Sequence, residues 1–260
     1  MRRPAAPSWA KDLAYGACGV ISRMRPGEDR PADRILCYHS HSPTSPWGVD
    51  IETFAEQVEH LRARFRLVAL RDLPAALGEP GGPVASLTFD DGSLDNYERT
   101  LEVLDRHDIK ATFFLIASAL GGSLPGPSGE ELMSAEQAKD LASRGHEVGS
   151  HTMSHADLSR LPEDRAREEI EGSRRALEDV LSVPVTAIAY PFGRHADATR
   201  AIAREAGYQM GVTTKEAGVP PEPDWFALPR VWVNRSVGRM QFRAKLTPAL
   251  DVYEGLRGRR

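Results

Sequence analysis

A layered α/β fold around a parallel sheet, closed as a barrel or wound on both faces, is what this sequence predicts, and three observations carry the expectation. Short apolar runs alternate with amphipathic stretches of helical period over most of the 260 residues, the pattern of parallel strands joined by crossover helices. Runs such as VASLTFD are nearly continuous in apolar character, as suits a sheet covered on both faces. The polar residues suited to chemistry fall directly after such runs, where a barrel of this kind gathers its active site.

In chain order, RILCYHS reads as a strand and IETFAEQVEHLRARF as an amphipathic helix. VASLTFD is the next strand, LDNYERTLEVLDRH a helix, KATFFLIAS a strand and SAEQAKDLASRG a helix. HEVGSH, TAIAYPF and YQMGVTT continue the strands, with helices PEDRAREEIEGSRRALEDVLS and DATRAIAREAG between them, and ALPRVWV ends the series. GGSLPGPSGE reads as a loop from its Gly, Pro and Ser content. We divide the chain into an extension (1–32), a main domain (33–235) and a basic C-terminal helix or tail (236–260).

Composition narrows the function class. A hydrophobic share of 41% and a charged share of 27% describe an ordinary globular chain, and a net charge of −4 argues against general nucleic-acid binding. Two cysteines, Cys18 and Cys37, indicate neither a disulfide framework nor a cysteine-built zinc site. Near the N-terminus, Trp9, Leu13, Ala17, Val20 and Met24 share one helical face beside Arg23 and Arg25. That face is expected to dock on the domain, with a membrane surface as the alternative. Arg235, Arg239, Arg243, Lys245, Arg257, Arg259 and Arg260 make the C-terminus basic, a second route to anionic lipid. The expected location is cytoplasmic, including the inner membrane face; a lipoprotein cleaved before Cys18, or another exported form, is the second reading.

Two places carry chemistry. In SLTFDDGSLDNY, Asp90 and Asp91 stand side by side at a strand end, followed by Gly92. All three are turn formers, but neighbouring carboxylates can also divide labour, one binding a metal and the other moving a proton. In GHEVGSHTMSH, His151 and His155 stand four apart after a strand; on a helical turn both imidazoles would face one metal ion. Two imidazoles and one carboxylate make a facial site with open positions. The spacing does not say which aspartate does which task.

TFDDG and HTMSH together resemble the first two motifs of the polysaccharide deacetylase family, the carbohydrate esterases with a NodB-like domain, over residues 33 to 235. The resemblance implies a distorted (β/α) barrel of about seven parallel strands that removes N-acetyl groups from amino sugars with one divalent metal. That metal is zinc in the first place, with Co2+, Ni2+, Mn2+ or Fe2+ as alternatives. By the family pattern Asp91, His151 and His155 resemble the metal ligands and Asp90 the general base. AYPFG resembles the third motif with Ala189 in place of its arginine; Phe192 then supplies a backbone N–H to the oxyanion beside Pro191, and Arg230 in ALPRVWV, read as a strand end, is the candidate to orient Asp90. Asp224 and Trp225 resemble the fourth motif.

The fifth motif, a late Leu-x-His, has no counterpart after His195. ILCYHSHSP, near the front, is similar to the rearranged order of the poly-N-acetylglucosamine deacetylases. His39 then resembles the general acid, with His41 as its rival, and Cys37 the apolar position by the acetyl pocket. Tyr38, Pro191 and Trp225 are expected at the substrate. His146 is expected to bond within its strand and turn, and His60 and His107 to face solvent. The expected substrate is an N-acetylated amino sugar in a polysaccharide, oligosaccharide or lipid-linked glycan; an inactive sugar- or partner-binding module is the contrary reading.

Overall fold

Strand β3 (Val84–Phe89), buried along all six residues, is the hub of the sheet. The computed structural model describes residues 31–124 and 129–257. The expected helix around Trp9 to Met24, the Cys18 reading, Arg259 and Arg260 lie outside the described residues. Around β3 run β1 (Arg34–Tyr38), β2 (Arg66–Leu67), β4 (Thr112–Leu115), β5 (Glu147–Ser150), β6 (Ala187–Ala189), β7 (Met210–Val212) and β8 (Val231–Trp232). The order is β7-β6-β5-β4-β3-β1-β8, every pairing is parallel, and β2 lies beside the start of β3. The seven strands expected are present; β2, at two residues, is too short to show a period in sequence.

The sheet curls until its edges meet. Val212 bridges Leu228, Thr213 N–H donates to the Leu228 carbonyl, and Arg230 N–H to that of Lys215. Residues 228–230 are therefore tied to β7 just before the chain enters β8 beside β1, which gives the distorted (β/α) barrel. Side chains alternate across each strand. Ile35, Phe114, Ala187, Ala189, Met210 and Val212 form one buried cluster, whereas Leu36, Tyr38, Leu87, Phe89, Phe113 and Ile188 join the cluster that meets the helices.

Helix α1 (Ile51–Arg62) starts at Asp50, whose carboxylate accepts from Thr53 N–H at 2.8 Å, and α2 (Leu73–Gly78) follows β2. The expected helix after Asp91 opens as a π turn, Asn96–Thr100, before α3 (Leu101–Asp105). Helix α4 (Ala135–Ser143) carries a Ser134–Gln137 capping box. Along α5 (Glu163–Leu181), Ala166, Ile170, Ser173, Leu177 and Leu181 form the buried stripe of a 3.6-residue repeat. Helix α6 (Asp197–Glu205) completes the ring.

The C-terminal segment is part of the domain rather than a tail. Helices α7 (Arg239–Lys245) and α8 (Ala249–Arg257) place Phe242, Leu246 and Leu250 in the outer core. The fully buried Arg34 donates to the Lys245 and Thr247 carbonyls at 3.0 and 2.7 Å and pairs with Asp251 at 3.0 Å. Its basic residues are largely engaged within the protein: Lys245 with Glu216, Arg239 with Glu56, Arg235 with the carbonyls of Ser42 and Pro43. His60 and His107 are half-buried instead of solvent-facing, one beside Phe242 and the other 2.9 Å from Glu59. No helix among the described residues is long and apolar enough to cross a membrane.

Candidate active site

Asp90 and Asp91 leave β3 in opposite conformational regimes. Asp90 N–H still donates to the Tyr38 carbonyl at 3.0 Å, extending the ladder with β1. Asp91 then turns to φ +70° and Gly92 to +79°, the left-handed region that glycine enters freely. A Cβ at Gly92 would also lie 2.8 Å from Leu115 Cδ2. The reversal sends the two carboxylates in different directions.

Asp91 faces the histidines. Its Oδ1 lies 3.4 Å from Nε2 of His151 and 3.4 Å from Nε2 of His155, and it is buried with no hydrogen-bond partner among the described residues. Two imidazole nitrogens and an orphaned carboxylate oxygen converging this way are a donor set suited to a divalent cation. His151 Nδ1 is 2.8 Å from the Ala189 carbonyl, so that nitrogen carries the proton and Nε2 is left as the donor atom, the outer partner a metal-binding imidazole needs.

The turn joining the histidines is not helical, contrary to the spacing argument. Thr152 and His155 take φ +66° and +61°, and hydroxyl groups hold the loop. Ser150 Oγ accepts from Thr152 N–H and Thr152 Oγ1 from His155 N–H, each at 3.1 Å, while Glu169 of α5 accepts from Ser154 N–H and Oγ at 2.9 and 2.6 Å. Asp91, Thr152, His155 and Phe192 are four of the six non-glycine residues at positive φ among the described residues. The backbone strain is thus concentrated at this cluster.

Asp90 faces the other way. Arg230 grips it with two hydrogen bonds, Nη1 to Oδ1 at 2.7 Å and Nη2 to Oδ2 at 2.6 Å, and also donates to Thr88 Oγ1 at 3.0 Å and the Thr213 carbonyl at 2.8 Å. Burial alone would push the Asp90 carboxyl up; the guanidinium outweighs it and holds the group well below the usual carboxylate range. Arg230 precedes β8 instead of ending it, and its side chain crosses above Phe114, with Cζ 5.7 Å from the ring centroid. Burial also works against charge on both histidines. For His151 the two carboxylates outweigh it and the pKa rises, whereas burial and the neighbouring His151 push His155 down to about 4.

His39 and Cys37 reach the same end of the barrel. Donor atoms of Cys37, His39 and Asp90 lie within 4.8 Å of one another, and Cys37 Sγ is 3.5 Å from Asp90 Oδ2. His39 Nδ1 is buried with no partner among the described residues, and the ring lies 6.0 Å from that of Trp232. His41 is committed elsewhere: Nδ1 is 2.7 Å from the Val49 carbonyl and Nε2 2.6 Å from Thr100 Oγ1. Phe192 follows the buried Pro191 at φ +60°; its ring is 53% exposed, 4.8 Å from that of His155.

Two expected residues are not brought to this cluster. Tyr38 is 1% exposed, stacks on Phe89 and donates to Gln57 Oε1 of α1 at 3.0 Å. It lies on the outer face of β1, because strand alternation turns 37 and 39 inward and 38 outward. Trp225 packs on both core clusters in the turn between β7 and β8, and its carbonyl accepts from Gly211 N–H at 2.7 Å. Neighbouring Asp224 pairs with Arg200. Sequence reasoning missed Trp47 and Trp232, at the rim beside His39 with ring centroids 5.0 Å apart; a tryptophan at the end of a strand was the available signal.

Comparison with known proteins finds chains of similar sequence and fold. The solved structure of IcaB from Ammonifex degensii superposes with a TM-score of 0.73 at 28% identity, covering 83% of this chain and 97% of that one. The Streptococcus pyogenes deacetylase PplD, in complex with acetate, gives 0.72 at 27% identity, covering 83% and 99%. YxkH of Bacillus subtilis (strain 168) is 29% identical over 214 residues, 81% of this chain and 74% of that protein. A peptidoglycan-N-acetylglucosamine deacetylase of Bacillus cereus is 33% identical over 109 residues, 42% of this chain and 36% of its own length. The family model described as polysaccharide deacetylase matches residues 78–211, just over half of the sequence, and the chain belongs to the polysaccharide deacetylase family.

Proposed function

We propose that the chain is a metal-dependent hydrolase that removes acetyl groups from N-acetylated amino sugars of a glycan. The observation that carries this reading is the orphaned Asp91 Oδ1 placed 3.4 Å from two imidazole nitrogens, while the adjacent Asp90 is turned away and held ionised. Asp91, His151 and His155 would hold the cation, zinc being the best match to this N,N,O set. Bound there, it would polarise the acetamide carbonyl and lower the pKa of water.

The remaining roles fall to the chain's own groups. A carboxylate offers about four lone-pair positions; Arg230 uses one on each Asp90 oxygen and leaves room to accept a proton from water as its oxygen attacks the acetamide carbon. Arg230 acts through Asp90, as a positioning residue. The Phe192 N–H, turned by the left-handed backbone after Pro191, is the oxyanion donor in this reading. His39, across the cluster from Asp91, delivers a proton to the nitrogen as the C–N bond breaks, so that the amine leaves neutral; Asp90 keeps the proton it took from water, and the acid product gives its remaining proton to solvent as acetate.

The test is acetate release from N-acetylglucosamine and its oligomers by protein stripped with a chelator and reloaded with zinc. Activity lost on stripping and restored on reloading is expected. Fully loaded protein that releases no acetate from any of them overturns the reading.

A further inference from the structure

We infer that Cys37, His39 and Asp90 form a second metal site, selective for thiophilic ions such as zinc and cadmium, and that an ion bound there stops turnover. The site stands on geometry alone; only its effect on turnover rests on the deacetylase reading above.

The parallel register of β1 and β3 builds it. Cys37 lies level with Thr88 and Tyr38 with Phe89, so the next residues, His39 and Asp90, come level as well. Strand alternation sends residues 37 and 39 to one face, the face on which Thr88 meets Arg230. Sulfur, imidazole nitrogen and carboxylate oxygen accordingly fall within 4.8 Å of one another, with Cys37 Sγ 3.5 Å from Asp90 Oδ2. Cys37 and Asp90 are 1% and 2% exposed, and His39 Nδ1 is buried with no hydrogen-bond partner among the described residues. That nitrogen lacks the partner that burial calls for, and a metal ion supplies one.

This donor set differs in kind from that of Asp91, His151 and His155. A thiolate is soft and favours zinc or cadmium over magnesium or calcium. Burial pushes the Cys37 thiol up, so it stays protonated until an ion arrives. The S–metal bond then forms as the S–H bond breaks, and the proton leaves to solvent. Arg230 takes one lone pair on each Asp90 oxygen, which leaves others for the ion. Three side chains with water in the remaining position complete the coordination.

Inhibition follows from which atoms are used. In the reaction proposed above, Asp90 accepts the proton of the attacking water and His39 gives one to the leaving nitrogen. An ion held by both side chains takes up the lone pair that one needs and the ring nitrogen that the other needs. The Asp91 site can then be full while turnover stops, so activity should rise and then fall as zinc is added.

The experiment titrates wild type carrying one zinc per chain with Cd2+ and follows the ultraviolet charge-transfer absorption of a cadmium–thiolate bond. The Asp91 site has no sulfur and is silent. Wild type should develop the band with one sulfur-bound ion per chain, and so should Cys18→Ala, which removes the other thiol of the sequence. Cys37→Ala and the nearly isosteric Cys37→Ser should not, and His39→Ala, which keeps the thiol, should need about tenfold more cadmium or beyond. No band in wild type, a band that survives in both Cys37 variants, or wild-type affinity in His39→Ala overturns the site. In parallel, excess Zn2+ should slow acetate release by wild type about tenfold or more relative to the one-zinc protein. Cys37→Ala, compared with its own one-zinc rate, should be slowed far less. Wild-type turnover unaffected by excess zinc overturns the inhibition. If no form releases acetate, the deacetylase reading fails by itself and the cadmium band still decides the site.

Discussion

Arg230 and Asp90 meet through two parallel hydrogen bonds, 2.7 and 2.6 Å long, across 140 residues of sequence and with both side chains out of solvent. The fork of a guanidinium matches a carboxylate in a way a lysine ammonium does not. The pair ties β3 to the segment that closes the barrel, so one contact serves both the shape of the site and the ionisation of its carboxylate.

Arg230→Ala should destabilise the protein by about 3–5 kcal/mol, because it leaves Asp90 buried and unpaired. Asp90→Ala in the same background should return part of that loss. Urea unfolding of the two single variants and the double variant measures the coupling; strict additivity would show that the pair is not energetically linked.

His151→Ala and His155→Ala should each lose most bound zinc and nearly all acetate release while keeping the fold, since both side chains project from a loop beyond the strand ends. Asp90→Asn should retain zinc and lose turnover, as an amide cannot take the proton. Metal analysis of the purified variants decides this, and an Asp90→Asn protein without zinc would reverse the two aspartates.

The succession of strands and helices along the chain and the polar residues at strand ends were legible because buried parallel strands are short apolar runs and chemistry follows them. What stayed hidden depended on single dihedrals and single faces. RILCY is apolar enough on both sides that nothing in it says Tyr38 turns outward to Gln57 while Cys37 and His39 turn inward. The His151–His155 spacing suggested a helical turn, whereas two positive φ angles held by Ser150 and Thr152 bring the rings together. Arg235, Arg239 and Lys245 looked like part of a solvated tail; their partners, the 42–43 carbonyls, Glu56 and Glu216, are far away in sequence.

His146 should make stability fall with acid. Its Nδ1 accepts the Ala111 N–H at 3.2 Å, which a protonated ring cannot do, and burial, with Lys110 nearby, pushes its pKa down to about 4 from 6.5. Between those values the unfolded chain binds the extra proton, so this contribution is complete above pH 6.5, falls away as pH drops below 6.5 and is fully lost by about pH 4. The loss at pH 5 should be about 2 kcal/mol. Urea midpoints at pH 7 and pH 5 should differ less in His146→Leu than in wild type; an equal difference would assign the acid sensitivity elsewhere.

His39→Ala should lower turnover on an acetamide by about 10²–10⁴-fold, the usual effect of losing a general acid, while zinc content stays near normal. The reason lies in the leaving group: an amine departs as an anion only at great cost, whereas an aryl acetate releases a phenoxide that needs no proton. The defect should therefore shrink on p-nitrophenyl acetate. His41→Ala separates this role from mere proximity. Both of its ring nitrogens are bound, to Val49 and Thr100, so its loss should lower stability by about 1–3 kcal/mol and affect the amide and the ester alike. Steady-state rates on both substrates for the two variants supply the comparison. An equal loss on amide and ester in His39→Ala would mean that His39 holds the site together without donating the proton, leaving the amine to be protonated by another group.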